Sequence, residues 1–217
     1  MHTESLTGGG KNAHVRVHRY GYVPLNCINL DTATEPSCGA GNFIYAISQR
    51  MNELGISAKE KLNKILGIEL YDGEAEKAKA YGATIETSDF FGYYKDNICG
   101  KKTFDVVLGN PPFIRYQNFE EKYRNLAFEL SDEIGIKLNR LTNIWIPFLI
   151  LSTECHKENG KLGMVIPAEL FQVDYAAATR KYLTEKFEHL TIITFKKLLF
   201  EGTQEEVVIF LGEKKSN

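Results

Sequence analysis

The chain has 217 residues, 43% of them hydrophobic and 25% charged, with a formal net charge of −2. That is the size of one α/β domain with a full core, and the charge balance excludes a surface built throughout for nonspecific nucleic-acid binding, so any such site must be locally basic. Four scattered cysteines (Cys27, Cys38, Cys99, Cys155) without a CxxC pair or a histidine at ligand spacing speak against a metal site or a disulfide framework, and no apolar run nears a membrane span, which together suit a reduced, cytoplasmic setting.

Residues 1–34, with Gly8-Gly9-Gly10 and scattered polar residues, show neither helical nor strand period and read as an irregular arm, leaving 35–212 as the ordered domain and 213–217 as a tail. From Glu35 a Gly-rich turn leads into a helix over 42–54, a strand over 64–70 and a strong helix over 73–81. Strands follow near 83–86 and 104–109, then helices near 119–138 and 143–157. The latter opens with an apolar run too short to span a membrane and suited to a buried helix. A strand ending at Pro167, a helix over 174–187 and strands over 190–195 and 206–211 complete the chain. Strands alternating with helices predict a doubly wound, mainly parallel α/β sheet, and the closing pair of strands predicts an antiparallel edge.

The segment Phe104-Asp105-Val106-Val107-Leu108-Gly109-Asn110-Pro111-Pro112-Phe113 carries the most chemistry. Two prolines make a stiff, extended exit from a buried strand. The Asn110 side-chain oxygen and the Pro111 carbonyl then offer two acceptors, with the Phe113 ring as one wall, a set suited to a planar amine. Upstream, Glu35-Pro36-Ser37-Cys38-Gly39-Ala40-Gly41-Asn42-Phe43 places two glycines before a helix, where backbone N–H groups meet a ligand closely. Glu69 ends a strand where an acid can accept from ribose hydroxyls, or where a solvated glutamate sits. Asp89-Phe90 follows the next strand, as an adenine-binding pair or as a helix cap.

Taken in this order, these motifs resemble the N6-adenine DNA methyltransferases of restriction–modification systems, in the class whose cofactor motif precedes the catalytic one. The resemblance covers 35–212 and implies a Rossmann-like class I methyltransferase. It implies S-adenosyl-L-methionine held by Glu35, Pro36, Cys38, Gly39, Gly41, Glu69, Asp89, Phe90 and Asn110. It also implies a catalytic turn, Asn110 to Phe113 with Pro111 and Pro112 between, that binds an adenine extruded from duplex DNA. Phe113 stacks on that base, and Phe200 is a second ring or an ordinary apolar residue. Arg115, Tyr116, Lys122 and Arg124 meet phosphates or form a solvated face; His156 and His189 are structural or solvated.

Two features depart from the family pattern. Tyr22-Val23-Pro24 stands only ten residues before Glu35, and 27–34 would bury Asn29 and Asp31 in a central strand, so the cofactor pocket is expected to be incomplete on that side. The chain also ends soon after its last strand, so target recognition is expected from another segment or chain. Methylation of a protein glutamine or an RNA guanine is the rival activity, and a noncatalytic scaffold the rival class.

Overall fold

The computed structural model describes residues 14–18, 30–101, 103–195 and 206–214, the first of these through backbone pairing alone. Eight strands form one sheet: β1 (His14–His18), β2 (Ala33–Glu35), β3 (Ile65–Glu69), β4 (Thr84–Thr87), β5 (Phe104–Gly109), β6 (His156–Pro167), β7 (Phe187–Thr194) and β8 (Val207–Lys214). Their order is β1-β7-β8-β6-β5-β2-β3-β4, with β8 antiparallel to both neighbours and every other pairing parallel. The antiparallel strand expected at an edge is therefore interior. β7 is laid one strand away from β6, and β8 returns into the gap, where it pairs the backbone groups of both.

The alternating side chains of the strands feed two cores on opposite faces. In β3, Ile65 belongs to one cluster while Leu66 and Ile68 meet the other; in β5, Val106 and Val107 divide the same way. The first face is covered by α1 (Asn42–Glu53), α2 (Ala58–Lys64) and α3 (Asp72–Lys79). Helix α1 buries Ile44, Ile47, Ser48 and Met51, a single stripe. Helix α2, which the sequence pattern did not reveal, starts with a reciprocal cap in which Ser57 Oγ accepts from the Glu60 N–H and Glu60 Oε2 accepts from the Ser57 N–H. The second face holds α4 (Phe90–Tyr93), α5 (Glu121–Glu133), α6 (Trp145–Glu154) and α7 (Ala177–Lys186). Helix α6 is buried from Trp145 to Thr153, as its unbroken apolar run predicts.

The expectation of an irregular arm through residue 34 needs correction. Residues 14–18 pair in parallel with β7, from His14 opposite His189 to His18 opposite Ile193. The central strand β2 also exists, and is only three residues long, all buried. Asp31, whose burial argued against a strand, stays exposed just before it and pairs with Lys64. Thr32 anchors the entry: its N–H and hydroxyl both donate to Asp105 Oδ2 at 2.8 Å, and Lys157 Nζ reaches the same oxygen at 3.0 Å. At the other end β8 runs to Lys214, past the expected boundary. Tyr22, Val23, Pro24 and Phe200 lie outside the described residues.

Strand order reverses at β2. The chain proceeds outward through β3 and β4, then crosses to β5 on the other side of β2. Loops leaving β2 and β5 diverge there and open a crevice at the carboxyl ends of the strands, where open α/β sheets bind ligands.

Candidate active site

A cavity of about 380 Å³ fills this crevice, and its lining includes Pro36, Gly39, Glu69, Asp89, Phe90 and Asn110. Four loops at the ends of β2, β3, β4 and β5 thus converge on one space of the size that holds a nucleoside-like molecule.

The loop after β2 is shaped by its glycines and by two carboxylates. Gly39 (φ +51°) faces open space, and its N–H donates to Glu69 Oε2 at 2.7 Å. Gly41 (φ +88°) is the N-cap of α1, and a Cβ there would lie 2.9 Å from Ala78, so close helix packing demands glycine. Glu69 Oε1 accepts from the Tyr71 N–H at 3.0 Å. One carboxylate therefore ties the ends of β2 and β3 together at the cavity wall.

Glu35, Cys38 and Gly41 do not line the cavity. Glu35 is buried beneath the loop and accepts from the Ile44 N–H at 3.2 Å, fastening the first turn of α1. Cys38 is buried, and its Sγ packs beside Gly67. Burial pushes its thiol up to about 12, with Glu35 and Glu69 adding to the rise, so it is an inert packing residue. Pro36, Ser37 and Gly39 of this same loop line the cavity, while Tyr22-Val23-Pro24, on whose side the pocket was expected to be incomplete, lies outside the described residues.

Burial also pushes the Glu35 carboxyl from 4.5 up to about 9, opposed by the Ile44 N–H and reinforced by Glu69. Near neutral pH it is protonated when folded and ionised when unfolded. Folding therefore takes up a proton between about pH 4.5 and 9, and stability falls as pH rises through that window. Wild-type unfolding free energy is expected to drop between pH 5.5 and 8.5 by as much as about 1.4 kcal/mol per pH unit more than that of Glu35→Gln. Denaturant titrations at both pH values check this, and equal slopes would count against a neutral buried carboxyl.

Asp89 serves as the N-cap of α4, its Oδ1 accepting from the Gly92 N–H at 2.8 Å, while the residue still lines the cavity. The cap and the ligand-facing position are therefore compatible. Phe90 stacks on Phe148 with centroids 5.1 Å apart, and Phe91 meets Phe148 edge-on at 4.7 Å, giving this end an aromatic wall. Phe148 lies within the unbroken apolar run of α6, Trp145 to Leu151, and carries no signal that separates it from ordinary core.

Along the turn after β5 the residues alternate. Asn110, Pro112 and Ile114 line the cavity, whereas Pro111 is buried and Phe113 is half-buried against the larger core. Phe113 is thus not a wall of the cavity that holds Asn110, as the sequence pattern led us to expect. Asn110 itself is exposed, and its carbonyl accepts a long hydrogen bond from Ser37 Oγ at 3.5 Å.

The stretch after this turn also folds over the cavity, with Asn118, Phe119, Glu120 and Tyr123 in its lining. Arg124 secures it. Its guanidinium lies 4.3 Å from the Tyr116 ring centroid, and Nη1 donates to the Tyr116 and Phe119 carbonyls at 3.3 and 3.5 Å. Arg124 is engaged internally, while Arg115 is exposed. His156 is buried between the Thr153 and Lys161 carbonyls, at 3.1 and 2.8 Å, and burial lowers its pKa to about 4, a structural role; His189 is exposed. Among the described residues there is no group of three or more His, Cys, Asp or Glu placed to hold a metal ion, and no helix is long and apolar enough to cross a membrane.

A family model described as "Eco57I restriction-modification methylase" matches residues 44–200. The chain is 28% identical over 189 residues to Type II methyltransferase M.AccI of Acinetobacter calcoaceticus, covering 84% of this chain and 32% of that protein. It is 27% identical over 184 residues to Type II methyltransferase M.CvrRI of Paramecium bursaria Chlorella virus XZ-6E, covering 84% and 42%. The chain therefore spans between 32% and 42% of the length of these relatives. Among solved structures, it superposes on DrdV in a DNA complex with a TM-score of 0.69 at 14% identity, covering 86% of this chain and 23% of that one. A class I S-adenosylmethionine-dependent methyltransferase structure from Listeria monocytogenes gives 0.64 at 18%, covering 85% and 54%. At these identities the likeness is one of fold, the class I methyltransferase fold.

Proposed function

We infer the reaction from one premise: the chain belongs to the Eco57I restriction-modification methylase family. The domain binds S-adenosyl-L-methionine in the cavity at the ends of β2 to β5 and methylates the exocyclic N6 of an adenine extruded from duplex DNA. The observation that carries this reading is the placement of Asn110, exposed at the end of β5 on the same cavity as Gly39, Glu69 and Asp89.

The cavity suits the cofactor on its own chemistry. Gly39 leaves open space at the loop, the Glu69 carboxylate retains acceptor capacity for ribose hydroxyls beyond its two backbone partners, and Asp89 stands beside an aromatic wall suited to adenine. S-adenosyl-L-methionine supplies a methyl group activated by its sulfonium. An amine conjugated with its ring is a weak nucleophile. The Asn110 side-chain oxygen and the Pro111 carbonyl accept its two N–H bonds and favour a nitrogen with an available lone pair. The new N–C bond forms as the S–C bond breaks, and the nitrogen then loses one proton. Phe113, set on the other side of the extended turn, is left to meet the base rather than the cofactor.

The test is transfer of a labelled methyl group from S-adenosyl-L-methionine to unmethylated DNA, RNA and cell protein, with digestion of the DNA to nucleosides. Label is expected in N6-methyldeoxyadenosine. Label confined to protein, to RNA or to cytosine overturns the reading.

A further inference from the structure

Among the described residues, the most exposed large apolar side chain is Leu141, at 71%. It sits on a turn that is tightly held. The Leu141 N–H donates to Asn139 Oδ1 at 2.8 Å and the Thr142 N–H to the Asn139 carbonyl at 2.9 Å. Thr142 is fully buried, and its Oγ1 accepts from the Asn139 N–H at 3.3 Å. Such a side-chain-closed turn on a buried anchor presents its apolar tip in one place rather than by looseness. The turn is also fastened beside the site, since the Ile144 N–H donates to the carbonyl of Ile114, the last cavity-lining residue of the Asn-Pro-Pro-Phe exit.

The two segments joined by the Ile144–Ile114 hydrogen bond carry cations within them, with acids at their borders (Glu120, Asp132, Glu133) and Glu169 accepting from Asn143 at 3.4 Å. Residues 110–119 contain Arg115 and no acid, and 134–144 contain Lys137 and Arg140 and no acid, in a protein of net charge −2. All three cations are exposed, and among the described residues none has a side-chain hydrogen bond or ion pair. A rigid apolar point flanked by free cations, next to a site for an extruded base, matches the chemistry of a side chain inserted into a duplex whose phosphates lie around it.

We propose that Leu141 is a wedge that enters the DNA stack as the target base leaves it, with Arg115, Lys137 and Arg140 facing the adjacent phosphates. The proposal rests on the reading that this domain acts on extruded adenine. Extrusion costs stacking and pairing, and apolar contact from a side chain in the opened step offsets part of that loss.

Insertion between base steps unwinds DNA, which gives a readout separate from catalysis. Nicked circular plasmid is sealed with ligase in the presence of the full chain and S-adenosyl-L-methionine, the protein is removed and the linking number is measured. Wild type and Leu141→Met are expected to lower it, and Leu141→Ala to leave it at the value found without protein. On the same plasmid Leu141→Ala is expected to transfer methyl groups about tenfold more slowly, with cofactor affinity within about twofold of wild type. Arg140→Gln is expected to reduce the slope of log affinity against log salt by about one. Equal unwinding by wild type and Leu141→Ala, or none by either, overturns the wedge. A wild type that unwinds the plasmid and places no methyl group on it overturns the methylation reading and leaves the wedge standing.

Discussion

Asn110→Ala is expected to lower methyl transfer by about a hundredfold to a thousandfold while changing cofactor affinity by no more than about twofold. The asymmetry follows from where the side chain sits. Asn110 is exposed at the end of β5, and its tie to the loop after β2 is through its backbone carbonyl, which the alanine variant keeps. The deletion removes an acceptor whose proposed partner is the target amine, so the cost falls where the nitrogen gains its lone pair. Asn110→Asp keeps an acceptor oxygen at the same reach and is expected to retain more activity than alanine. Single-turnover transfer and cofactor titration on the same preparation separate the two effects. A rise in the cofactor dissociation constant matching the fall in rate would remove Asn110 from the catalytic role.

The parts of this site that were legible in the sequence are those whose geometry is local. Strand β5 is bounded by Phe104 and Gly109 as its apolar run predicts, because the following prolines cannot continue a ladder. Glu69 ends β3 and Asp89 follows β4 by two residues, so their place at the cavity needed only the rule that open sheets bind at the ends of their strands. Contributions that depend on long-range contact were not legible. Strand β2 is recognisable only through its partners, with Ala33 opposite both Ile65 and Val106, since three residues carry no period of their own. Phe148 and Tyr123 reach the cavity because α5 and α6 pack across it, and nothing in an apolar or amphipathic helix says which of its rings meets a ligand. That Phe113 does not share the cavity with Asn110 has a simpler reason. In an extended run Asn110 and Phe113 are three residues apart and so face opposite ways, which a motif read as one unit conceals.

Glu69→Ala is expected to give the complementary phenotype. Cofactor affinity should fall about a hundredfold or more, with the rate at saturating cofactor retained within about threefold. The magnitude comes from two charge-assisted hydrogen bonds to the proposed ribose hydroxyls, each worth roughly 1.5–3 kcal/mol, which together exceed the 2.7 kcal/mol or so of a hundredfold change in binding. The variant also releases the Gly39 and Tyr71 N–H groups, held by the same carboxylate at 2.7 and 3.0 Å, so the loop after β2 loses its link to β3. Part of the lost affinity is therefore loop order, and Glu69→Gln tells the parts apart. Its one amide oxygen preserves a single backbone partner while its NH₂ faces the other N–H, so it is expected to bind the cofactor with intermediate affinity. Removing the Glu69 charge has a second consequence beneath the loop. Repulsion from Glu69 helps hold the buried Glu35 carboxyl up at about 9, so the pH at which stability stops falling should move down in Glu69→Ala. Calorimetric titration with S-adenosyl-L-methionine, paired with denaturant unfolding across pH, reads both effects. Wild-type cofactor affinity in Glu69→Ala would place the ribose elsewhere and undo the assignment of this cavity, whereas weakened binding with no displacement of the pH dependence would show that the two carboxyls do not communicate.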